Sequence, residues 1–144
     1  MPRLKITVMA LAVAAVAVSG CARNRDLPTQ VAPSRMTTIG VNGYLWQAAL
    51  DTVSFAPLLQ ADASSGVIIT DWYANPRAPG ERVKLTVSIL DQDLRADALR
   101  VAASRQVMQN GTWVEAPVTA ATVQKLEDII LTRARDIRRT TVPG

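Results

Sequence analysis

The sequence predicts an α+β fold in which one antiparallel sheet and two helices form a two-layer sandwich. Apolar residues recur with helical spacing over residues 41–54 and again over residues 119–139. Between them, residues 82–90 alternate between apolar and polar side chains, as in a half-buried strand. The pair Asn110–Gly111 favours a hairpin, because both central positions of its tight turn need positive φ. We therefore expect three to four strands, with an N-terminal and a C-terminal helix packed on one face of the sheet.

The first predicted helix spans residues 41–54 and begins near Gly40 or Asn42. Its apolar side chains fall on one face at about 100° per residue, and Pro57 prevents its continuation. That face comprises Leu45, Trp46, Ala49, Leu50 and Val53.

The predicted strands are residues 66–73, 82–90, 98–109 and a short return strand at 112–115. A loop at 75–80 separates the first two strands, since it is rich in proline and ends in glycine. The second strand divides cleanly into an apolar side, which we expect the helices to cover, and a polar side. The apolar side carries Val83, Leu85, Val87 and Ile89, and the polar side carries Lys84, Thr86 and Ser88. The third strand would turn inward Leu99, Val101, Ala103 and Val107.

The second predicted helix spans residues 119–139, with Thr119 as its candidate N-cap. Its apolar stripe consists of Val123, Leu126, Ile130, Ala134 and Ile137. Arginines near the C-terminal end complement the helix dipole, namely Arg133, Arg135, Arg138 and Arg139. Leu85, Val87, Leu126 and Ile130 are the side chains expected in the core.

The N-terminal residues 1–20 have the pattern of a secretory signal peptide. A basic start precedes the apolar run of residues 6–18, and that run is shorter than the about 20 residues of a spanning helix. Residues 18–21, Val-Ser-Gly-Cys, resemble the lipobox of bacterial lipoproteins. The resemblance implies cleavage before Cys21 and acylation of that cysteine. An ordinary signal peptide followed by an incidental cysteine is the alternative.

Residues 21–39 are predicted to be the lipidated cysteine and a flexible polar tether to a single domain at residues 40–140. Two or three acyl chains give stable anchoring, so the protein would be attached to its membrane without spanning it. Similarity to enterobacterial sorting signals implies the periplasmic side of the outer membrane, because Ala22 stands where inner-membrane retention uses aspartate. The cell envelope is therefore the expected location.

The charge and the residue types exclude several classes of function. The formal charge of the chain is +4, but residues 1–35 hold five of its 16 Lys and Arg and one of its 12 Asp and Glu. The remaining 11 of each sign make the domain neutral, which argues against a nucleic-acid partner. The chain has no histidine and one cysteine, which excludes Ser-His-Asp and Cys-His catalysis. We expect no cofactor and no metal.

Two groups of carboxylates are the remaining candidates for chemistry. Asp91, Asp93 and Asp97 form an acidic loop, which suits a solvated turn better than a calcium site since it lacks the EF-hand glycine and glutamate. Asp62 and Asp71 are a candidate carboxylate pair for hydrolysis. A hydrolase is accordingly an alternative to the non-catalytic interpretation.

Three stretches resemble a family of alphaproteobacterial envelope lipoproteins that is known only as a domain of unknown function. They are VNGYLWQAALD at 41–51, TDWY at 70–73 and LEDIILTRAR at 126–135, and the resemblance covers residues 40–139. It implies no reaction. The helix-sheet-helix order is also similar to domains of a lipoprotein subunit of the outer-membrane β-barrel assembly machinery. We expect a binding or structural module of the envelope with a protein partner, and a carrier of a small apolar ligand as a further alternative.

The polar side of the sheet is the predicted partner surface. It would carry Lys84, Thr86 and Arg100, and it would include Trp72 if Thr70 lies on the same side, because alternate residues of a strand share a face. Tryptophan and arginine are enriched at interface hot spots. The alternative is that Trp72 folds under the 75–80 loop or a helix and belongs to the core.

Overall fold

The computed structural model describes residues 40–141, which form a helix, six strands and a second helix. The helices are α1 (Gly43–Val53) and α2 (Ala120–Thr140). The strands are β1 (Leu58–Asp62), β2 (Val67–Thr70), β3 (Tyr73–Ala74), β4 (Glu81–Ile89), β5 (Leu99–Gln109) and β6 (Thr112–Ala116). The predicted signal peptide, Cys21 and the tether lie outside the described residues. No helix within residues 40–141 is both long and apolar enough to cross a membrane.

All the strands belong to one antiparallel sheet in the order β1-β2-β4-β5-β6, and β3 pairs with β4 beyond the end of β2. The α+β class is confirmed, but the expected three to four strands were too few. β1 was missed because its five residues follow Pro57 without alternation and are largely exposed. The strand predicted at residues 66–73 is two strands in the structure.

A β-bulge separates β2 from β3. Ile69 pairs with Thr86 and Tyr73 pairs with Val83. The four residue steps from Ile69 to Tyr73 therefore match only three steps on β4. The extra residue falls at Asp71–Trp72 and reverses the alternation, as β-bulges do. The Leu85 N–H donates to the Thr70 hydroxyl at 2.9 Å, so the bulge leaves no orphaned donor at that position.

Both helices pack on the same face of the sheet, here called the covered face, and against each other. The core joins aliphatic residues of α1 and α2 to those that point from β2, β4 and β5 toward the helices. Its largest fully buried apolar members are Leu45, Val53, Ile68, Val87, Leu99 and Ile130. The predicted core residues Leu85, Val87 and Ile130 are buried, whereas Leu126 is half-buried at the edge of the core.

The two helices begin differently. The Asn42 side-chain oxygen accepts the Leu45 N–H at 3.0 Å, and its side-chain nitrogen donates to the Gln92 carbonyl at 2.8 Å. This buried residue therefore caps α1 and ties it to the β4–β5 connection. Thr119 precedes α2 as predicted, but its hydroxyl bonds that of Thr122 at 2.7 Å and caps no backbone N–H.

Two tight turns depend on residues with positive φ. Asn110 and Gly111 have φ of 49° and 82°, and Gln109 pairs with Thr112, which confirms the predicted hairpin. Gly66 has a φ of 73°, and a Cβ at this position would lie 2.5 Å from the Ile89 carbonyl oxygen. Only glycine fits where β1 turns into β2 against the end of β4.

Candidate binding surface

The sheet face opposite the helices, here called the open face, is defined by the register of β4 and β5. Because Leu85, Val87 and Ile89 point into the core, the alternating residues of β4 point the other way. Each of these stands opposite a residue of β5 on the same face. The pairs are Arg82 with Gln106, Lys84 with Ser104, Thr86 with Ala102 and Ser88 with Arg100.

Two tryptophans and an arginine form a cluster at one end of the open face. The Arg82 guanidinium carbon lies 4.7 Å from the ring centroid of Trp72 and 4.4 Å from that of Trp113. All three side chains are half-buried. Each contact is within the range of a cation–π interaction, which contributes about 0.5–2 kcal/mol depending on desolvation. The three residues, named here the Trp–Arg–Trp cluster, come from three separate segments of the sheet.

A chain of hydrogen bonds fixes the arginine in this cluster. Arg82 donates from Nε and Nη2 to the Gln106 side-chain oxygen at 2.8 and 2.6 Å. Gln106 in turn donates to a Glu115 carboxylate oxygen at 2.5 Å. The guanidinium is thus oriented by a neutral amide, and the nearest acid in this network is one side chain further away.

The open face is positively charged along β4 and β5. Among residues 40–141, the described ion pairs lie elsewhere and none involves Arg82, Lys84 or Arg100. The pairs are Arg95 with Asp91 and Asp97, Arg105 with Glu81, Arg133 with Asp51, and Arg139 with Asp136. The neutral domain therefore separates its charges, leaving the cations of this face without carboxylate partners.

The bulge at Asp71–Trp72 places Trp72 on the open face. The sequence placed Trp72 there only if Thr70 shared its side of the strand, and that condition is not met. Thr70 is 1% exposed and lies on the covered face, where it bonds Leu85. Trp72 reaches Arg82 on the opposite face because the bulge reverses the alternation between them.

The structure brings together only part of the predicted surface. Trp72 lies at the bulge opposite Lys84, and Thr86 follows two residues along β4. Arg100 stands opposite Ser88, six residues along the strand from Arg82, which corresponds to about 20 Å. It shares the open face but lies far from the Trp–Arg–Trp cluster.

Two members of the cluster were missed in the sequence, although a pattern pointed to both. Arg82 lies two residues before Lys84 and so occupies the preceding polar position in the alternation of β4. The hairpin at Asn110–Gly111 sets Trp113 opposite Met108, on the same side as Gln106. Trp113 was therefore predictable on the open face once the two-residue turn was accepted.

The candidate carboxylate pair does not come together. Asp62 stands opposite Val67 at one end of β2, and Asp71 follows the other end. Four residue steps separate Val67 from Asp71, about 13 Å, whereas paired glycosidase carboxylates lie about 5–9.5 Å apart.

Asp62 instead serves the turn between β1 and β2. Its carboxylate accepts the hydroxyls of Ser64 and Ser65 at 2.6 and 2.9 Å and the Ser64 N–H at 2.9 Å. These hydrogen bonds, that of the Ser64 hydroxyl above all, lower the pKa of Asp62 from 3.8 to about 2. This carboxylate stabilises a turn and stays ionised.

The acidic loop is organised by an arginine. Arg95 contacts Asp91 at 2.6 Å and Asp97 at 3.3 Å, and Asp91 also accepts the backbone N–H groups of Gln92 and Asp93. Within the part of the chain that the structure describes, no group of three or more potential ligands has the arrangement of a metal site.

An apolar pocket of about 380 Å³ lies where the end of α1 and the start of α2 leave the covered face incompletely filled. It is lined chiefly by Phe55, Val83, Leu85, Ala103, Val118 and Leu126. Arg105 also lines it, and the hydrogen bonds and positive charge of its guanidinium lower the pKa of the Glu81 carboxyl. The volume is at the lower end of the range for small-molecule sites.

Comparison with known proteins gives a family but no activity. An uncharacterized protein of Rickettsia prowazekii is 42% identical over 97 residues, which cover 67% of this chain and 58% of the relative. The matched segment thus spans less than two thirds of the relative's length. The family model described as a domain of unknown function, DUF3576, matches residues 39–139. The chain belongs to this alphaproteobacterial family of unknown function.

Proposed function

We propose that this protein is a non-catalytic binding module of the cell envelope, anchored through acylated Cys21 on the periplasmic side of the outer membrane. Its open sheet face binds a protein partner. The sequence pattern of residues 1–21 supports the anchor, and the Trp–Arg–Trp cluster supports the surface. In this proposal the domain recognises the protein partner, and the lipid on Cys21 holds the domain at the membrane.

The observation that carries the proposal is the position of the cluster. Trp72 and Trp113 are half-buried on the face that no helix covers, and a restrained arginine lies between them. Tryptophan and arginine are enriched at interface hot spots, and side chains that are already held in one conformation lose little entropy on binding. The covered face already supplies the core, so the cluster is not required to build it.

A second candidate, the carrier of a small apolar ligand, is favoured by the pocket between the helices and the covered face. A ligand would enter beside Phe55, whose side chain is 45% exposed. Native mass spectrometry of the purified protein tests this function. The variant Ala103→Trp fills the pocket with a larger side chain. An apolar molecule that is present in the purified wild type and absent from this variant would favour the carrier function.

The anchor is tested by metabolic labelling with a fatty-acid analogue in cells that express the wild type or Cys21→Ser. Label is expected in the wild type, whereas the variant should remain unlabelled and leave the membrane fraction or stay uncleaved. Equal labelling of the two proteins would contradict the assignment.

The surface is tested with a photo-crosslinking amino acid in the full chain in living cells. Ser104 is exposed on the open face beside Lys84, and Gln124 is exposed on α2 as the matched control. We expect a discrete protein adduct from position 104 and none from position 124. The same adduct from both positions, or from position 124 alone, would move the partner to the helix side.

A further inference from the structure

Arg82 is a half-buried cation that no carboxylate neutralises within residues 40–141. We propose that the partner supplies this carboxylate, from an extended acidic segment of an envelope protein that lies along β4 and β5. The inference rests on the proposed function and adds the chemistry of the partner. Three observations support it: the free edge of the guanidinium, the restraint on it and the line of cations beside it.

The guanidinium retains donors on one edge. Of its five N–H groups, two bond to Gln106, through Nε and Nη2, which leaves three on Nη1 and Nη2. Two N–H groups of neighbouring nitrogens match the two oxygens of one carboxylate, which gives a bidentate, charge-assisted pair. Gln106 occupies the other edge and so fixes which side of Arg82 meets the partner.

The surroundings favour recognition of an anion over solvation of the cation. The ring centroids of Trp72 and Trp113 lie within 5 Å of the guanidinium carbon, so apolar rings occupy part of the space around this half-buried cation. A charge pair formed beside low-polarity groups is stronger than the same pair in open water. Because the rings and Gln106 already restrain Arg82, little side-chain entropy remains to be lost on binding.

The other cations of the open face lie in line with the cluster. Lys84 is two residues from Arg82 along β4, about 7 Å, and Arg100 lies about 20 Å away opposite Ser88. Of the nearby acids, Glu115 is bonded to Gln106, Asp71 accepts the backbone N–H of Trp72, and Asp62 is bonded within its own turn. An extended peptide advances about 3.3 Å per residue, so several of its carboxylates can meet these cations at once.

Selection from a display library of random dodecapeptides tests the partner chemistry. The target is the full chain in detergent, immobilised through a C-terminal tag. Asp and Glu should be enriched among the selected peptides relative to the library. The best binder should lose at least about tenfold in affinity toward Arg82→Gln, because a bidentate charge pair is removed, and its binding should weaken with salt. Arg135→Gln removes the same charge from an exposed position on α2 and should change little.

Two further measurements keep the test decisive if Arg82→Gln fails to fold. Exchanging each Glu of the selected peptide for Gln should reproduce the loss without any change in the protein. Arg82→Lys keeps the charge but not the planar edge, so it should bind more weakly than the wild type. Peptides without acidic enrichment, or equal binding by Arg82→Gln and Arg135→Gln, would overturn the inference. A crosslink at position 104 would then still support the binding module, whereas its absence would remove both proposals.

Discussion

The two faces of the sheet are built from the same strands but by opposite rules. The covered face presents Ile68, Leu85 and Leu99, all 4% exposed or less, to helices that complete the core. The open face presents cations, short polar side chains and the Trp–Arg–Trp cluster, and no element of residues 40–141 covers it. One face contributes most of the apolar burial, and the other holds groups that are costly to bury without a partner.

Under the proposed function, this difference would allow stability and recognition to be changed separately in a domain of about 100 residues. Strand alternation sends successive side chains to opposite faces, so neighbouring residues serve different purposes. The bulge at Asp71–Trp72 is the exception that makes the surface possible. Without it, Trp72 would follow Thr70 to the covered face, and Arg82 would lack one of its two rings.

The largest expected effect is the truncation of a core residue of α2. Ile130 is 1% exposed, and Ile130→Ala should lower the free energy of unfolding by about 2–5 kcal/mol. Its neighbour Ile129 is 40% exposed, so Ile129→Ala should change it by about 0.5 kcal/mol. Urea denaturation of both variants measures the difference. Equal losses would show that α2 does not present the face described here.

A smaller effect is expected at the bulge, where the Thr70 hydroxyl accepts the backbone N–H of Leu85. Thr70→Val keeps the shape of the side chain but removes the acceptor of the Leu85 N–H, which should cost about 1–3 kcal/mol. Thr86→Val makes the same change on the open face and should cost much less. Urea midpoints of the two variants provide the comparison, and a more damaging Thr86→Val would reverse our assignment of the faces.

The smallest effect concerns the carboxylate of Asp62 at the edge of the open face. Folding lowers its pKa from 3.8 to about 2, so the ionised form is favoured in the folded state. Its contribution to stability is therefore present above about pH 4 and is lost as the pH falls through about 2. The difference in melting temperature between the wild type and Asp62→Asn should be constant from pH 5 to 7 and shrink below pH 4. A difference that grows on acidification would contradict the turn geometry.

Much of the architecture followed from periodicity. The alternation of residues 82–90, the helical stripe ending near Ile137 and the Asn110–Gly111 turn each depend on local chemistry, and each was placed correctly. The side of β4 that the helices cover was also correct, because an apolar strand face and an apolar helix face have to meet.

The missed features depend on contacts between distant segments. β1 is defined by pairing with β2 and lacks a pattern of its own, and the bulge before Tyr73 exists only relative to β4. The cluster was incomplete in the sequence for the same reason. Trp72 and Arg82 come together only through that pairing, and Trp72 lies on the open face although Thr70 does not.

The central claim, that the open face binds a partner and the covered face stabilises the domain, is tested most directly by Trp72→Ala. The measurement is the yield of the position-104 crosslink in cells, together with the melting temperature of the same variant. We predict that the adduct is largely lost while the melting temperature falls by only a few degrees, since about 1 kcal/mol of cation–π contact is removed. An unchanged crosslink, or a loss of stability as large as that of Ile130→Ala, would contradict the account.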